Sequence, residues 1–407
     1  MIRRSFLAQA PAAAMLAVDT VPLPSAADFS KNEEAYWAKI RRDQFVLPEW
    51  RAYLNTGSVG SAPKPVLKAT SEYMEKGASY AGNEYPRWGY EAMLPVREAI
   101  ASFVGATAAE IALTHNATES MGIIANGLDL RAGDEVLITD QEHPSGRGPW
   151  LLKQARAGVR VRELKLPVPP KSASELSEAI LSAIRPETKV LSFSGITTHT
   201  GLLLPVKEIC AVARAKGVIT VVDGAHMPGQ VALNIADIGC DLFAASLHKW
   251  MLTPPGCGFL YVRRDFQDRL WPTVVVDGWQ NQKDALKYMQ LGCNNRAELE
   301  GVLAAIQFMR AIGVERIQSR IHSLAQRAYG MAKQIPALRV LSAEDHRLYG
   351  GMIAFDAPGK DYTPLWRKLE ERKVWTLRGE KIRVSCHIHT RPRDLETLFS
   401  TIRELWG

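Results

Sequence analysis

Two apolar runs in this chain end in residues suited to amine chemistry. Val221-Val222-Asp223-Gly224-Ala225-His226 closes one run with an acid, two small residues and a histidine. The other, Asp241-Leu242-Phe243-Ala244-Ala245-Ser246-Leu247-His248-Lys249-Trp250, ends in Ser-x-His-Lys, and Gly256-Cys257-Gly258 follows. If both runs are neighbouring strands of an open parallel sheet, the acid and the lysine stand where ligands of such sheets bind, beyond the carboxyl ends. A lysine at a strand end is ordinarily a solvated surface group. Lys249 is set among Phe, Ala, Leu, Trp and Met, so partial desolvation is expected. Burial lowers an amine's pKa and leaves it a nucleophile able to form a Schiff base with a carbonyl.

Other segments carry polar groups of matching kinds. Asn116-Ala117-Thr118 precedes a helical stretch at 119–126. Free amides and the dipole at a helix start favour a phosphate, and the Thr118 hydroxyl adds a donor. From the residues alone, a plain helix cap fits Thr118 equally well. Ser246 and His248 flank the lysine and can close around the same phosphate. Ile382-Arg383-Val384-Ser385 alternates like a strand, and Arg383 offers a planar fork for a carboxylate. A surface salt bridge is the ordinary alternative for an arginine. His143, followed by Pro144, reads by itself as a loop histidine. A lysine imine facing an acid that keeps a pyridine nitrogen protonated is the protein's share of pyridoxal phosphate (PLP) chemistry.

The pair DGAH…SLHK resembles class V aminotransferases, the group that includes cysteine desulfurases, isopenicillin N epimerase and periplasmic pyoverdine-tailoring enzymes, especially the last two. Further matches run in the family's order over roughly residues 50 to 400. They are Tyr53-Leu54-Asn55-Thr56-Gly57-Ser58, His115-Asn116-Ala117-Thr118-Glu119-Ser120, Glu142-His143, Thr198-His199-Thr200-Gly201 and Arg383-Val384-Ser385. The resemblance implies an α/β, aspartate-aminotransferase-like fold of PLP fold type I, with Lys249 and Asp223 as the catalytic pair. It also implies that His143 stacks on the ring, that Thr198 and His226 lie near the cofactor's 3-hydroxyl, and that Ala117, Thr118, Ser246 and His248 surround its phosphate. Arg383, with Asn55, would take the substrate carboxylate. A homodimer with residues of both subunits at each site is implied as well.

Three departures matter. Relatives carry Gly-Thr at the partner-side phosphate contact, where this chain has Gly292-Cys293-Asn294-Asn295; a thiol is a weak donor, so an asparagine is expected to substitute. Gly195 stands where relatives tend to have histidine. Desulfurases need a mobile cysteine shortly before Arg-x-Ser, yet none lies between Cys293 and Cys386, which argues against persulfide chemistry.

The elements that must position these residues are legible in outline. Segments 110–114, 135–139, 159–164, 189–193, 218–222, 241–245 and 258–262 read as short buried strands, with helical spacing at 174–184 and 206–216 between them. Such alternation predicts a mostly parallel sheet covered on both faces. Helical patterns at 296–310 and 312–333, then strand-like runs at 340, 351–355 and 381–385 with a helix at 365–371, suggest a smaller α+β domain. The expected division is a leader (1–27), an N-terminal segment (28–52), a large domain (53–290) and a small one (291–407). The Pro-rich patch 166–170 reads as a surface loop.

With 407 residues, 46% apolar and 23% charged, the chain is expected to form more than one core. Net charge is +7 without a long basic run, which disfavours nucleic acid as a partner. Five scattered cysteines without a CxxC pair favour neither a disulfide framework nor a metal site. Arg3-Arg4-Ser5-Phe6-Leu7, an alanine-rich stretch and small residues near Ala26 resemble a twin-arginine export leader. An exported enzyme is expected, a cytoplasmic one the alternative, with no membrane insertion of the mature chain. The expected activity is PLP-dependent chemistry at the α-carbon of an amino-acid or peptide-derived substrate, by transamination or epimerisation. The alternatives are a carbon–sulfur lyase acting on a cysteine conjugate and a PLP-fold binding protein without catalysis. Intact Asp223, His226 and Lys249 argue against the last.

Overall fold

A computed structural model describes residues 21–79 and 93–407. The twin-arginine motif lies outside the described residues. In chain order the strands are β1 (Ala52–Tyr53), β2 (Ile111–Thr114), β3 (Glu135–Thr139), β4 (Arg160–Leu164), β5 (Thr188–Ser194), β6 (Ile219–Asp223), β7 (Leu242–Ser246) and β8 (Gly258–Val262). After them come β9 (Arg339–Val340), β10 (Met352–Asp356), β11 (Val374–Trp375) and β12 (Ile382–Ser385).

Seven strands form one sheet in the order β2-β8-β7-β6-β5-β3-β4. Only β8 runs against its neighbours; the other pairings are parallel. This is the mostly parallel α/β sheet expected from the strand–helix alternation. The interior strands are buried along nearly their whole length because helices cover both faces, so period-2 alternation disappears. β4 differs: Arg160, Arg162 and Glu163 stand on a strand that is largely uncovered. Charges on an edge strand discourage pairing with another chain.

The crossover helices include Ala117–Gly127, Pro144–Ala157, Ala173–Ser182 and Val206–Ala215. Their buried faces join the strands in one apolar core. A second core forms around the antiparallel sheet β12-β10-β9, covered by Val314–Lys333 and Pro392–Trp406. The helix Arg296–Ile312 packs its apolar face into the first core, whereas Ala52 and Leu54 belong to the second. The reason is pairing: β1 lies parallel to β11, and Asn55 bridges to Ser385. The N-terminal strand thus reaches the cavity from the side of the small sheet.

The segment 21–27, grouped with the leader on composition, makes contacts with the folded chain: Gln44 Nε2 donates to the Val21 carbonyl (2.7 Å), Leu23 packs against the core, and Ser25 caps the helix Ala26–Lys31. One expectation needs correction: proline-rich composition misled at 166–170. The stretch is irregular, but Leu166 is buried in the core and its N–H donates to Asp140 (3.0 Å).

Candidate active site

The carboxyl ends of β5, β6 and β7 open into a cavity of about 490 Å³. Asp223 is the last residue of β6, in register with Ser194 of β5 and Ala244 of β7. Its Oδ1 accepts the Ala225 N–H (3.0 Å). Its Oδ2 faces Gly146 in the first turn of Pro144–Ala157; a Cβ there would stand 3.1 Å from that oxygen. Glycine at 146 therefore gives the carboxylate room.

Lys249 lies in the turn that ends β7. The N-terminal segment closes over this turn: Gly60 N–H donates to the His248 carbonyl (2.7 Å), and a Cβ on Gly60 would clash with the Lys249 carbonyl. Burial pushes the Lys249 amine down to about 8; Asp223 offsets this and Arg383 reinforces it. Nζ lies 3.2 Å from His226 Nε2, and the Trp250 indole donates to His226 Nδ1 at 3.2 Å.

On one side of the lysine, the helix Ala117–Gly127 starts at the cavity. Asn116 caps it, accepting from Glu119 N–H (3.0 Å). The Ala117 N–H donates to Ser246 Oγ (3.0 Å), and Thr118 borders the cavity. The helix approaches so closely because Gly258 of β8 has no side chain: a Cβ there would stand 2.8 Å from the Asn116 nitrogen. His248 Nδ1 is buried without a hydrogen-bond partner among the described residues, and burial drives its ring down to about 4, so it is neutral. An amide, two hydroxyls and an unsatisfied imidazole nitrogen at a helix N-terminus suit a phosphate.

His143 forms the other wall. As cap of Pro144–Ala157 its Nδ1 accepts from Ser145 N–H (3.1 Å), which fixes the ring while leaving its surface open. Burial, then Lys249, lowers its pKa.

Arg383 of β12 closes the far end. Nη1 donates to the Thr198 carbonyl (3.1 Å) and hydroxyl (3.0 Å), and Nη2 to Asn55 Oδ1 (3.0 Å) and Ser58 Oγ (2.8 Å). Among the described residues no carboxylate pairs with this cation. It is 3% exposed, and burial lowers it to about 10. A buried cation without a counter-charge is costly unless a ligand supplies one.

The structure thus brings Lys249, Asp223, His226, His143, Ala117, Thr118, Thr198, Ser246, His248 and Arg383 to one cavity. Asn55 stands behind it, as an acceptor for Arg383 rather than as cavity wall. Thr198 borders the cavity, but its oxygens serve Arg383.

Several participants escaped sequence reasoning. Ser58 was marked only as the end of the motif at 53–58, and Gly146 had no signal beyond being small. Glu142 had been noted only as the neighbour of His143. It is buried, accepting from Thr139 Oγ1 (2.5 Å) and from the Ser194 N–H (3.2 Å) and Oγ (2.7 Å). Burial raises its carboxyl to about 7, with the Asp223 charge adding to the rise. His199 lines the cavity with no side-chain hydrogen bond among the described residues; burial lowers its pKa, and so do Lys381, His143 and Arg383.

Residues 52–403 match the aminotransferase class-V family. Isopenicillin N epimerase of Amycolatopsis lactamdurans is 32% identical over 91% of this chain and 98% of its own length. The enzyme of the same name from Streptomyces clavuligerus is 29% identical over 92% and 99%. Among solved structures, a C-DES variant with glycine covalently linked to its PLP cofactor superposes with a TM-score of 0.79. It shares 25% identity and covers 89% of this chain and 99% of its own.

Proposed function

Since this chain belongs to the aminotransferase class-V family, we propose that it is an enzyme moving the proton at the α-carbon of an amino-acid or peptide-derived substrate. It uses pyridoxal 5′-phosphate, as its family does. The donor set described above fits that group: a depressed lysine amine, a carboxylate in the adjacent strand end and polar groups at a helix N-terminus, among them His248 Nδ1, which has no hydrogen-bond partner among the described residues. When bound, the cofactor supplies an electron sink for charge released at the α-carbon.

Lys249 would hold the cofactor through its ε-amine, Asp223 would face its ring nitrogen, and His143 would cover one ring face. The Ala117 amide, Thr118, Ser246 and His248 would hold its phosphate, with His226 at its oxygen-bearing edge. Arg383, kept in place by Thr198, Asn55 and Ser58, meets the substrate's α-carboxylate as a planar fork. A lysine with a pKa of about 8 is partly neutral near physiological pH and takes a proton at ordinary cost.

The observation that carries this reading is the pairing, in one cavity, of a depressed lysine amine with a buried arginine that has no carboxylate partner among the described residues. Inversion at the α-carbon is the favoured outcome. It needs a second proton donor besides Lys249, and His199, which has no side-chain hydrogen bond among the described residues, lines the same cavity as Arg383. The two epimerases similar over nearly the whole chain support the same outcome.

Export through the twin-arginine leader and assembly as a homodimer complete the proposal. Export is supported by Arg3-Arg4, and the five unpaired cysteines are compatible with a route that moves the protein already folded. Cell fractionation and sedimentation test these two points.

The function is tested by reconstitution with PLP, borohydride reduction and peptide mass analysis. Tagging at position 249 is expected, with a visible band that changes on adding an amino acid or peptide substrate. Chirality, keto-acid and thiol assays then separate epimerisation, transamination and carbon–sulfur cleavage. A colourless protein untagged at 249 would overturn the reading.

A further inference from the structure

His226 sits between two nitrogens with opposite demands. An indole N–H only donates, so Trp250 Nε1, 3.2 Å away, makes His226 Nδ1 an acceptor. Burial holds His226 well below the ordinary histidine range, so the ring is neutral and carries one proton. That proton must then be on Nε2, which faces Lys249 Nζ at 3.2 Å. The lysine is left as the acceptor, and only an uncharged amine can accept.

The seat of Trp250 is built around this contact. A Cβ on Gly351 would stand 2.8 Å from the indole Cζ3, and one on Gly229 would stand 2.7 Å from the Trp250 carbonyl. His387 Nε2 donates to that carbonyl at 3.0 Å. Gln230 ties the His226 carbonyl (2.6 Å) to the Gly351 N–H (2.9 Å). Both partners of the indole–imidazole bond are therefore clamped from the small sheet as well as from their own turns.

We propose that Trp250 is a positioning residue whose single N–H confines the His226 proton to Nε2 and so holds the Lys249 amine neutral and nucleophilic. The charges facing Nζ are Asp223 at the end of β6, which favours protonation, and Arg383 of β12, which opposes it. His143, at the start of Pro144–Ala157, and His248, in the same turn as the lysine, are both held low by burial. The tautomer decides which side His226 joins. With the proton on Nδ1 instead, Nε2 would accept from a charged lysine and stabilise it.

The inference rests on the reading of Lys249 as the cofactor-bearing amine, and its test is separable from that reading. In cofactor-free full-length protein, the rate of reductive methylation at position 249 is followed against pH by peptide mass analysis. Trp250 is replaced by β-(3-benzothienyl)alanine, which keeps the shape and puts sulfur in place of the N–H. The reactivity midpoint is expected to rise by about one pH unit, the scale of a single hydrogen bond. The same change in a His226→Gln background is expected to have no effect. In the holoenzyme, the pH midpoint of the visible band should move with the same replacement. An unchanged midpoint, or a shift that survives His226→Gln, overturns the proposal. Failure of borohydride to tag position 249 in the wild type counts instead against the functional reading.

Discussion

Nη1 of Arg383 donates to both the carbonyl and the hydroxyl of Thr198, at 3.1 and 3.0 Å. The arginine is thereby held by the turn that borders the cavity, across 185 residues of sequence. The turn is itself rigid: Thr197 and Thr200 share a hydroxyl bond (2.7 Å), and Thr197 Oγ1 accepts the Leu202 N–H (2.9 Å).

Arg383→Lys keeps the charge and loses the fork. The apparent KM for α-carboxylate substrates is expected to rise about a hundredfold, roughly 3 kcal/mol, while PLP binding is retained. Steady-state kinetics with the acid and with its carboxamide check this; the carboxamide should discriminate little between wild type and variant.

Thr198→Val removes one of the two acceptors of Nη1 without changing shape. A KM increase of about fivefold is expected, near 1 kcal/mol, with cofactor affinity little altered. If cofactor affinity fell instead while KM held, Thr198 would belong to the cofactor rather than to Arg383.

Glu142 links pH to stability. Its folded pKa of about 7 lies above the ordinary carboxyl value, so the folded protein binds the extra proton. The associated stability is fully present below the unfolded pKa and is lost as pH rises through about 7. Urea denaturation of the wild type should therefore weaken by about 1–3 kcal/mol from pH 4.5 to pH 8 on this account. Glu142→Gln, neutral at every pH, should flatten that part of the profile; parallel profiles for the two proteins would count against it.

Gly146→Ala tests the space beside Asp223. Alanine favours the helix by about 1 kcal/mol over glycine, yet its methyl group would press on Oδ2. Overall stability should stay within about 1 kcal/mol of wild type, while PLP affinity falls roughly tenfold, one pK unit's worth of displaced carboxylate. Equilibrium dialysis and urea melts separate the two effects.

The large sheet was legible because buried parallel strands leave unbroken apolar runs, and all seven fall within one residue of their predicted ends at both termini. Boundaries slipped where polar residues continue a strand, as Ser194 continues β5 and Ser246 ends β7. The residues at strand ends and helix starts, Asp223, Lys249, Ala117 and Thr118, could be placed for the same reason: their positions at the cavity follow from local position along the chain. Leu166 was misjudged because proline content describes backbone freedom and says nothing of burial.

Tertiary structure alone decided the rest. Nothing local marks Thr198, Asn55 and Ser58 as partners of one guanidinium, since three distant segments must converge before those bonds exist. The raised pKa of the Glu142 carboxyl likewise arises from enclosure, which desolvates a charge only after the surrounding layers have packed. Residue type and order determined which chemistry this chain can support; the distances among side chains, and so the protonation states that make it usable, came from the folding of remote pieces onto one another.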